Sequence, residues 1–207
     1  MYVCCSLRYF NLTYWAFICI IVLEKRKGLI NMKSDYRTRA IRFLNSIISY
    51  LNGDIYSPFT VEEKVDEFNR DKSRKVKVAW GSARIALITS DYVVKWDYDI
   101  DAVKDIGGCV DEYLAYQQAV EQGYDYLLAE TTLVKIGNIE FSIMPRIYNI
   151  GPRHHKGGIE NYLTPDEFDW LMHFNNDIHH YNWGIRHNKA CVIDYAMTQE
   201  VYERGSW

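Results

Sequence analysis

The chain has 207 residues, of which 48% are hydrophobic and 15% aromatic, so it is long enough to bury a core without disulfide bonds. Its formal net charge of −3 argues against the strongly basic surface that binding along a nucleic-acid backbone requires. The five cysteines form no CxxC pair and no Cys/His spacing suited to zinc, which predicts free thiols in a reducing compartment. We therefore expect a globular cytoplasmic protein without a nucleic-acid partner.

Residues 1–31 form a hydrophobic N-terminal segment. The run from Tyr9 to Leu23 carries no charge and precedes a basic stretch, which is typical of a signal anchor that leaves the following chain in the cytoplasm. A helix of that length reaches roughly 22 Å, against about 30 Å of hydrocarbon. Three interpretations remain: upstream sequence mis-assigned ahead of a true start at Met32, a membrane anchor, or a packed hydrophobic arm. We expect a membrane partner only if this segment is genuine.

Residues 32–74 are predicted to form a helical extension. The sequence from Tyr36 to Asn52 repeats apolar residues at helical spacing, and Asn52 and Gly53 end this helix. After the breaker at Ser57 and Pro58, the pair Thr60 and Glu63 matches a capping box. It predicts a second, short helix that runs to Phe68.

Residues 75–150 change to the alternating pattern of strands. Three strands, 75–80, 84–89 and 92–96, are followed by a helix from Cys109 to Gln122. Two more strands, 131–137 and 139–147, are joined by a turn at Gly137 and Asn138. The pattern predicts a five-stranded antiparallel sheet, with one helix inserted after the third strand.

Residues 151–207 begin with a loop that contains His154 and His155 and continue with a helix from Thr164 and Pro165 to about Phe174. The stretch that follows, "NNDIHHYNWGIRHNKACVIDYA", holds the most informative pattern in the chain.

In that stretch, Asp177, Asn182 and Asp194 lie on either side of a short apolar run that ends in "ACVID". Three oxygen-bearing side chains so close together repel one another or lose hydration on burial, unless they share a partner. A divalent metal ion is one such partner. His179 and His180 are expected to hydrogen-bond and position this loop rather than to bind zinc.

Two residues of the predicted sheet region complete the pattern. Lys95 ends the third strand in "VVKW", and Glu112 lies seventeen residues further on, in the helix that follows. An ion pair between them would hold the Lys95 ammonium in one position, since an unpaired lysine samples many rotamers. Asp111 and Glu121 are alternative acids on the same helix.

With this order of elements and motifs, the sequence resembles the protein kinase superfamily, and most closely the small bacteriophage-encoded serine/threonine kinases. It is also similar to small-molecule phosphotransferases with "DLH" catalytic loops. The resemblance implies an α+β fold, with a five-stranded antiparallel N-lobe that contains one helix at 75–150. It also implies a minimal helical C-lobe at 151–207 that carries the catalytic loop.

The resemblance also implies roles for the acidic stretch. Asp177, four residues and Asn182 match a kinase catalytic loop, in which the aspartate orients or deprotonates the acceptor hydroxyl. Asn182 and Asp194 would hold Mg²⁺.

The nucleotide site follows from the same resemblance. Lys95, held by Glu112, would bind the α- and β-phosphates of ATP, and Gly81 marks the turn of a phosphate-covering loop. Adenine would lie against "IMPRIYN", where backbone groups near Met144 and Arg146 can bond its edge.

The sequence departs from the family pattern at several places. The phosphate loop has Gly81 alone, Asn175 stands where a histidine usually precedes the catalytic aspartate, and Tyr195 and Ala196 replace Phe-Gly. Thirteen residues follow Asp194, so we expect neither an activation segment nor a helical platform for a peptide substrate.

We expect an ATP- and magnesium-dependent phosphotransferase, a phage-type serine/threonine kinase that acts on host proteins in the host cytoplasm. A small-molecule kinase is the second possibility among enzymes. A pseudokinase-like protein that binds a host protein and inhibits or redirects it is the alternative from another class.

Overall fold

The computed structural model describes residues 34–148 and 158–204. The expectations for the hydrophobic N-terminal segment, for Cys4, Cys5 and Cys19, and for His154 and His155 lie outside these residues. Cys109 and Cys191, which the structure does describe, are free and buried. Within the described ranges, no helix combines the length and the apolar character that crossing a membrane requires.

Helix α1, Ser34–Leu51, ends where the sequence predicts. Asn52 and Gly53 follow it with positive φ angles of 48° and 89°, a conformation that asparagine and glycine tolerate. The apolar stripe of α1 is buried against the five-stranded sheet, together with residues of the next helix, as Ala40, Leu44 and Ile47 show. This extension is therefore part of the hydrophobic core.

Helix α2, Pro58–Lys72, is longer than the predicted short helix and does not begin with the predicted Thr60–Glu63 capping box. The N-cap is Ser57, whose hydroxyl accepts the backbone N–H of Thr60 at 3.4 Å. Pro58 suits the first turn because its missing N–H has no partner to lose there. The helix continues past Phe68 until Ser73 adopts a left-handed conformation with a φ of 50°.

The sheet has five antiparallel strands, as predicted, and the structure gives their order as β1-β2-β3-β5-β4. Its strands are β1 Lys77–Trp80, β2 Arg84–Ile88, β3 Tyr92–Asp97, β4 Thr132–Ile136 and β5 Ile139–Pro145. Strand β1 begins two residues later than predicted because the amide side chain of Asn69 bonds both backbone groups of Val76, at 2.8 and 2.9 Å.

The strand register determines which side chains share a face of the sheet. Lys95 on β3 lies opposite Ala86 on β2 and Ser142 on β5. Because side chains alternate along a strand, Arg84 lies on the same face as Ala86 and Lys95. Ile85 faces the opposite side, in the core against α1 and α2.

Two helices follow β3: α3 Ile100–Ile106, which the sequence analysis missed, and α4 Cys109–Gln122, which it predicted. Asp99 caps α3 by accepting the N–H groups of residues 101 and 102. Between the helices, Gly107 has a φ of +78°, and a Cβ there would lie 2.6 Å from the carbonyl oxygen of Ala196. This corner of the chain therefore packs directly against the segment after Asp194.

The described elements other than the sheet and α1 to α4 form what we call the second half, which consists of short elements around a separate apolar cluster. They are two 3₁₀ turns at Asp125–Leu127 and Ile159–Tyr162, helix α5 Pro165–Phe174, strands β6 Trp183–Arg186 and β7 Lys189–Val192, and helix α6 Gln199–Arg204. The predicted strand "ACVID" is thus β7, one half of a β6–β7 hairpin. A Cβ at Gly184 on β6 would lie 2.6 Å from the carbonyl oxygen of Tyr148, so this strand needs glycine.

Glu167 joins α5 to the β6–β7 hairpin. Its carboxylate accepts the Thr164 N–H at 2.7 Å, the Lys189 ammonium at 2.7 Å and the Tyr126 hydroxyl at 2.9 Å. The hydrogen bond from Lys189, followed by that from Thr164, lowers the pKa of Glu167 to about 2. Because the folded state favours the charged form, this stabilisation is complete above the ordinary pKa of 4.5 and is lost as the pH falls towards 2.

We expect Glu167→Gln to lower the free energy of unfolding at pH 7 by on the order of 2 kcal/mol. The difference from the native chain should shrink between pH 4.5 and pH 2, as urea unfolding at several pH values will show. Glu62→Gln, at an exposed position of α2, is the matched control. A difference that stays constant down to pH 2 would contradict the assigned charge interaction.

Candidate functional site

Two adjoining cavities lie between the sheet and the second half. The larger, of about 630 Å³, is lined by the predicted site residues Gly81, Lys95, Asp177, Asn182 and Asp194. The smaller, of about 310 Å³, is also lined by Lys95, Asn182 and Asp194. It adds the predicted residues Met144 and Arg146. The remaining predicted residue, Glu112, lies behind Lys95. The structure therefore brings residues that are up to 113 positions apart in the sequence into one region.

Lys95 connects the two halves at this site. Its ammonium donates to Glu112 Oε1 at 2.7 Å and to the carbonyl oxygen of Ile193 at 2.8 Å. It also lies 3.7 Å from Asp194 Oδ1. The residue is only 7% exposed, so these contacts fix the position of its positive charge at the cavity wall.

Glu112 is fully buried on α4 and accepts three hydrogen bonds. Besides Lys95, the Ser142 hydroxyl donates to Oε2 at 2.9 Å and the Arg84 guanidinium donates to Oε1 at 3.4 Å. The alternative acids are placed differently, because Asp111 caps α4 at the Gly108 N–H and Glu121 is exposed. Glu112 is therefore the partner of Lys95 that the sequence pattern favoured.

The loop from Asp177 to Asn182 is closed by its own hydrogen bonds. The Asn182 side-chain amide donates to the carbonyl oxygen of Asp177 at 2.9 Å and to its carboxylate at 3.0 Å. Asn175 accepts the Asp177 N–H on its side-chain oxygen at 2.7 Å. His179 Nε2 lies 3.6 Å from Asp177 Oδ1. The Asp177 carboxylate is thus held by Asn182 and lies beside His179, while its side chain stays 53% exposed.

The same contacts orient Asn182. Because its NH₂ group donates to Asp177, its side-chain oxygen remains an acceptor. Together with the Asp194 carboxylate it offers oxygen donors of the kind that Mg²⁺ prefers. In the described ranges, no cluster of three or more His, Cys, Asp or Glu side chains is suited to hold a metal ion. A magnesium ion here would therefore depend on an amide oxygen, a carboxylate and oxygens of its own ligand.

Asp194 follows β7, whose end is fixed by a hydrogen bond from the Ile193 N–H to the carbonyl oxygen of Asn182 at 2.7 Å. Its carboxylate accepts a hydrogen bond from Arg84 and lies near Lys95. Burial alone would raise the pKa of Asp194, but the charges of Lys95 and Arg84 outweigh this effect and hold the pKa below its usual value. Asp194 is therefore a carboxylate at neutral pH.

Arg84 is the site residue that the sequence analysis missed. Its guanidinium contacts both Glu112 and Asp194, and its side chain is 15% exposed. Burial alone would lower the pKa of Arg84, but the charges of Asp194 and Glu112 outweigh this effect and raise it. The available signal was the alternation of β2, which places Arg84 and Lys95 on one face of the sheet.

The turn at Gly81 is short and closed. The Gly81 N–H donates to the carbonyl oxygen of Arg84 at 3.0 Å, and the Tyr98 hydroxyl donates to the carbonyl oxygens of Gly81 and Ser82 at 2.9 and 3.0 Å. The Tyr98 N–H bonds Ala83 in the same way, at 2.9 Å. The turn is therefore a fixed hairpin connection whose Gly81 amide already has an acceptor.

The smaller cavity has an apolar lining that includes Val93, Met144 and Ile193. Arg146 is held in place because its N–H donates to the carbonyl oxygen of Asp91 at 2.9 Å and its guanidinium to that of Thr89 at 2.7 Å. Binding of adenine in this cavity stays a prediction. The Arg146 N–H would have to exchange its bond with Asp91 to contact such a ligand.

No protein-family model matches the chain, and neither does any curated protein. The assignment of a function therefore rests on the geometry of the two cavities.

Proposed function

We propose that the chain is a kinase-like phosphotransferase that uses ATP and Mg²⁺, and that it phosphorylates serine or threonine side chains of host proteins. The observation that carries this proposal is the buried Lys95–Glu112 ion pair at the wall of the cavity that Asp177, Asn182 and Asp194 also line. Burying such a pair costs desolvation that its own attraction hardly offsets. An anionic ligand at Lys95 gives the pair a function.

The two cavities fit the two parts of a nucleotide. Lys95, Asn182 and Asp194 line both, so a ligand that fills the smaller cavity with its base reaches the larger one with its phosphates. The Lys95 ammonium, held by Glu112, then supplies a fixed positive charge to those phosphates.

Magnesium suits the oxygen donors of this site. Asn182 and Asp194 would hold the ion, and when bound it offsets negative charge on the phosphates. The contacts of Asn182 with Asp177 keep its amide oxygen available for that purpose.

Asp177 acts on the acceptor. Its exposed carboxylate lies at the larger cavity and orients the attacking hydroxyl. A bond forms between the hydroxyl oxygen and the γ-phosphorus, the bond from that phosphorus to the β–γ bridging oxygen breaks, and ADP leaves. The hydroxyl proton passes to Asp177. The exposure of this carboxylate favours an acceptor on the surface of another protein.

A pseudokinase-like binding protein is the second candidate, and one contact favours it. Arg84 forms an ion pair with Asp194, the carboxylate that a metal ion would need. If this pair persists in the presence of nucleotide, the chain binds a partner without transferring phosphate.

ATP with magnesium should raise the melting temperature of the full chain by several degrees, because a ligand bound only to the native state stabilises it by mass action. Lys95→Ala should remove most of this shift, since the variant lacks the fixed cation beside the phosphates. Lys135→Ala, on an exposed part of β4, should retain it.

Differential scanning fluorimetry at millimolar ATP measures both shifts. A folded native chain whose melting temperature does not change would contradict the nucleotide site. Equal shifts in the native chain and in Lys95→Ala would place the nucleotide elsewhere.

A further inference from the structure

The β1–β2 turn leaves the larger cavity short of groups that bind phosphate. The Gly81 N–H donates to the carbonyl oxygen of Arg84. Tyr98 donates hydrogen bonds to three carbonyl oxygens of the turn. A backbone cradle of the kind that a glycine-rich loop provides would require this turn to open. Lys95 is one compact cation, whereas a triphosphate carries several negative charges. A further cationic group is needed on the same wall.

Arg84 is that group by position. It lies at the start of β2, on the face that carries Lys95, and it lines the larger cavity. Its guanidinium has five N–H donors in a planar fork, a shape that matches phosphate oxygens as well as carboxylates. The Glu112 carboxylate, fully buried behind it, anchors the guanidinium at 3.4 Å.

The contact with Asp194 sets the condition for binding. A guanidinium and a divalent cation repel each other at one carboxylate, so Asp194 cannot hold both closely. A metal-bound polyphosphate brings its own anionic oxygens, which replace Asp194 as the partner of Arg84. Glu112 remains bound to the guanidinium during this exchange, so Arg84 needs to move little.

We propose that Arg84 is a polyphosphate-binding residue, which exchanges the Asp194 carboxylate for phosphate oxygens of a nucleoside triphosphate and so releases Asp194 to the metal. This inference rests on the proposed function for the identity of the nucleotide. Arg84 would recognise a chain of phosphates whether or not a phosphate is then transferred. Tripolyphosphate without a nucleoside is therefore a ligand as well, and adenosine does not depend on Arg84.

Isothermal titration calorimetry of the full chain with Mg²⁺-ATP, Mg²⁺-tripolyphosphate and adenosine tests the proposal. We expect Arg84→Gln to weaken binding of ATP and tripolyphosphate by about 10- to 100-fold, the range for lost charge-assisted hydrogen bonds. Adenosine should bind Arg84→Gln as tightly as it binds the native chain. Arg70→Gln, an exposed arginine on α2, removes the same charge and should change none of the three affinities.

Arg84→Lys keeps a positive charge beside Glu112 and decides the question if Arg84→Gln does not fold. Because the planar fork is lost, Arg84→Lys should weaken binding of both polyphosphate ligands. The loss should be smaller than in Arg84→Gln, because the positive charge remains. A variant that binds tripolyphosphate as tightly as the native chain, or more tightly, overturns the proposal. So does an equal loss of adenosine affinity, which marks a structural role, or a native chain that binds no tripolyphosphate.

The proposed function fails on a different result. If the polyphosphates bind through Arg84 but no acceptor is phosphorylated, the phosphotransferase is refuted, and the assignment of Arg84 stands.

Discussion

Glu112→Gln is expected to lower the free energy of unfolding by about 3–5 kcal/mol, the cost of leaving a buried charge without its partner. The native carboxylate accepts hydrogen bonds from Lys95, Ser142 and Arg84, and it is fully buried. A neutral amide of the same size leaves two cations facing each other with less compensation. Urea unfolding measures the loss, and Glu121→Gln, exposed on the same helix, should show almost none.

A double variant separates the missing charge from a loss of packing. Lys95→Met with Glu112→Leu removes one positive and one negative charge together, and leaves Arg84 paired with Asp194. Replacing both members of a buried ion pair by apolar residues is often neutral or stabilising. We expect the double variant to be more stable than Glu112→Gln while nucleotide binding is lost. A double variant less stable than Glu112→Gln would mean that shape, and not charge, determines the effect.

Asp194→Asn is expected to reduce phosphate transfer by orders of magnitude, because it removes the charged ligand of the proposed metal. Asp177→Asn should also reduce transfer strongly but leave ATP binding nearly unchanged, since that carboxylate is proposed to act on the acceptor hydroxyl. The measurement is transfer from labelled ATP to proteins of a bacterial lysate, with the full chain and magnesium. Asp166→Asn, in the first turn of α5, is a control of the same chemistry.

The results divide the two candidate functions. If the native chain transfers no label to any protein, itself included, and a host protein still co-purifies with it, the catalytic proposal is wrong. The chain is then a pseudokinase-like binding protein. If both variants label as well as the native chain, the activity belongs to a contaminant.

The regular elements were predictable because their signals are local. Alternation along β2, β3 and β5 indicated the sheet, and the spacing of α4 indicated its helix, as the structure confirms. Helix α3 was missed because it is only seven residues long, too short to show a helical period. Strand β6 was missed because its glycine, needed for contact with Tyr148, weakens the strand pattern.

The site was predictable to the extent that spacing encodes it. Asp177 and Asn182 are five residues apart and close one loop, so their proximity follows from the sequence. Arg84 was not predictable in this way, because its partner Asp194 lies 110 residues further along the chain. Alternation shows the face on which a β2 residue lies, but not what packs over that face. Only the docked second half makes Arg84 a site residue.

The separation between Arg84 and Asp194 also bears on how the chain folds. Lys95, Arg84 and Ser142 contact the buried Glu112 carboxylate across 17, 28 and 30 residues, far shorter loops than the 110 residues between Arg84 and Asp194. Closing a longer loop costs more chain entropy, so we expect the contact between Arg84 and Asp194 to form after those of Glu112. We therefore expect the sheet to form before the segment that carries Asp194 packs against it. If Arg84 binds polyphosphate as proposed, such binding would report that this loop has closed.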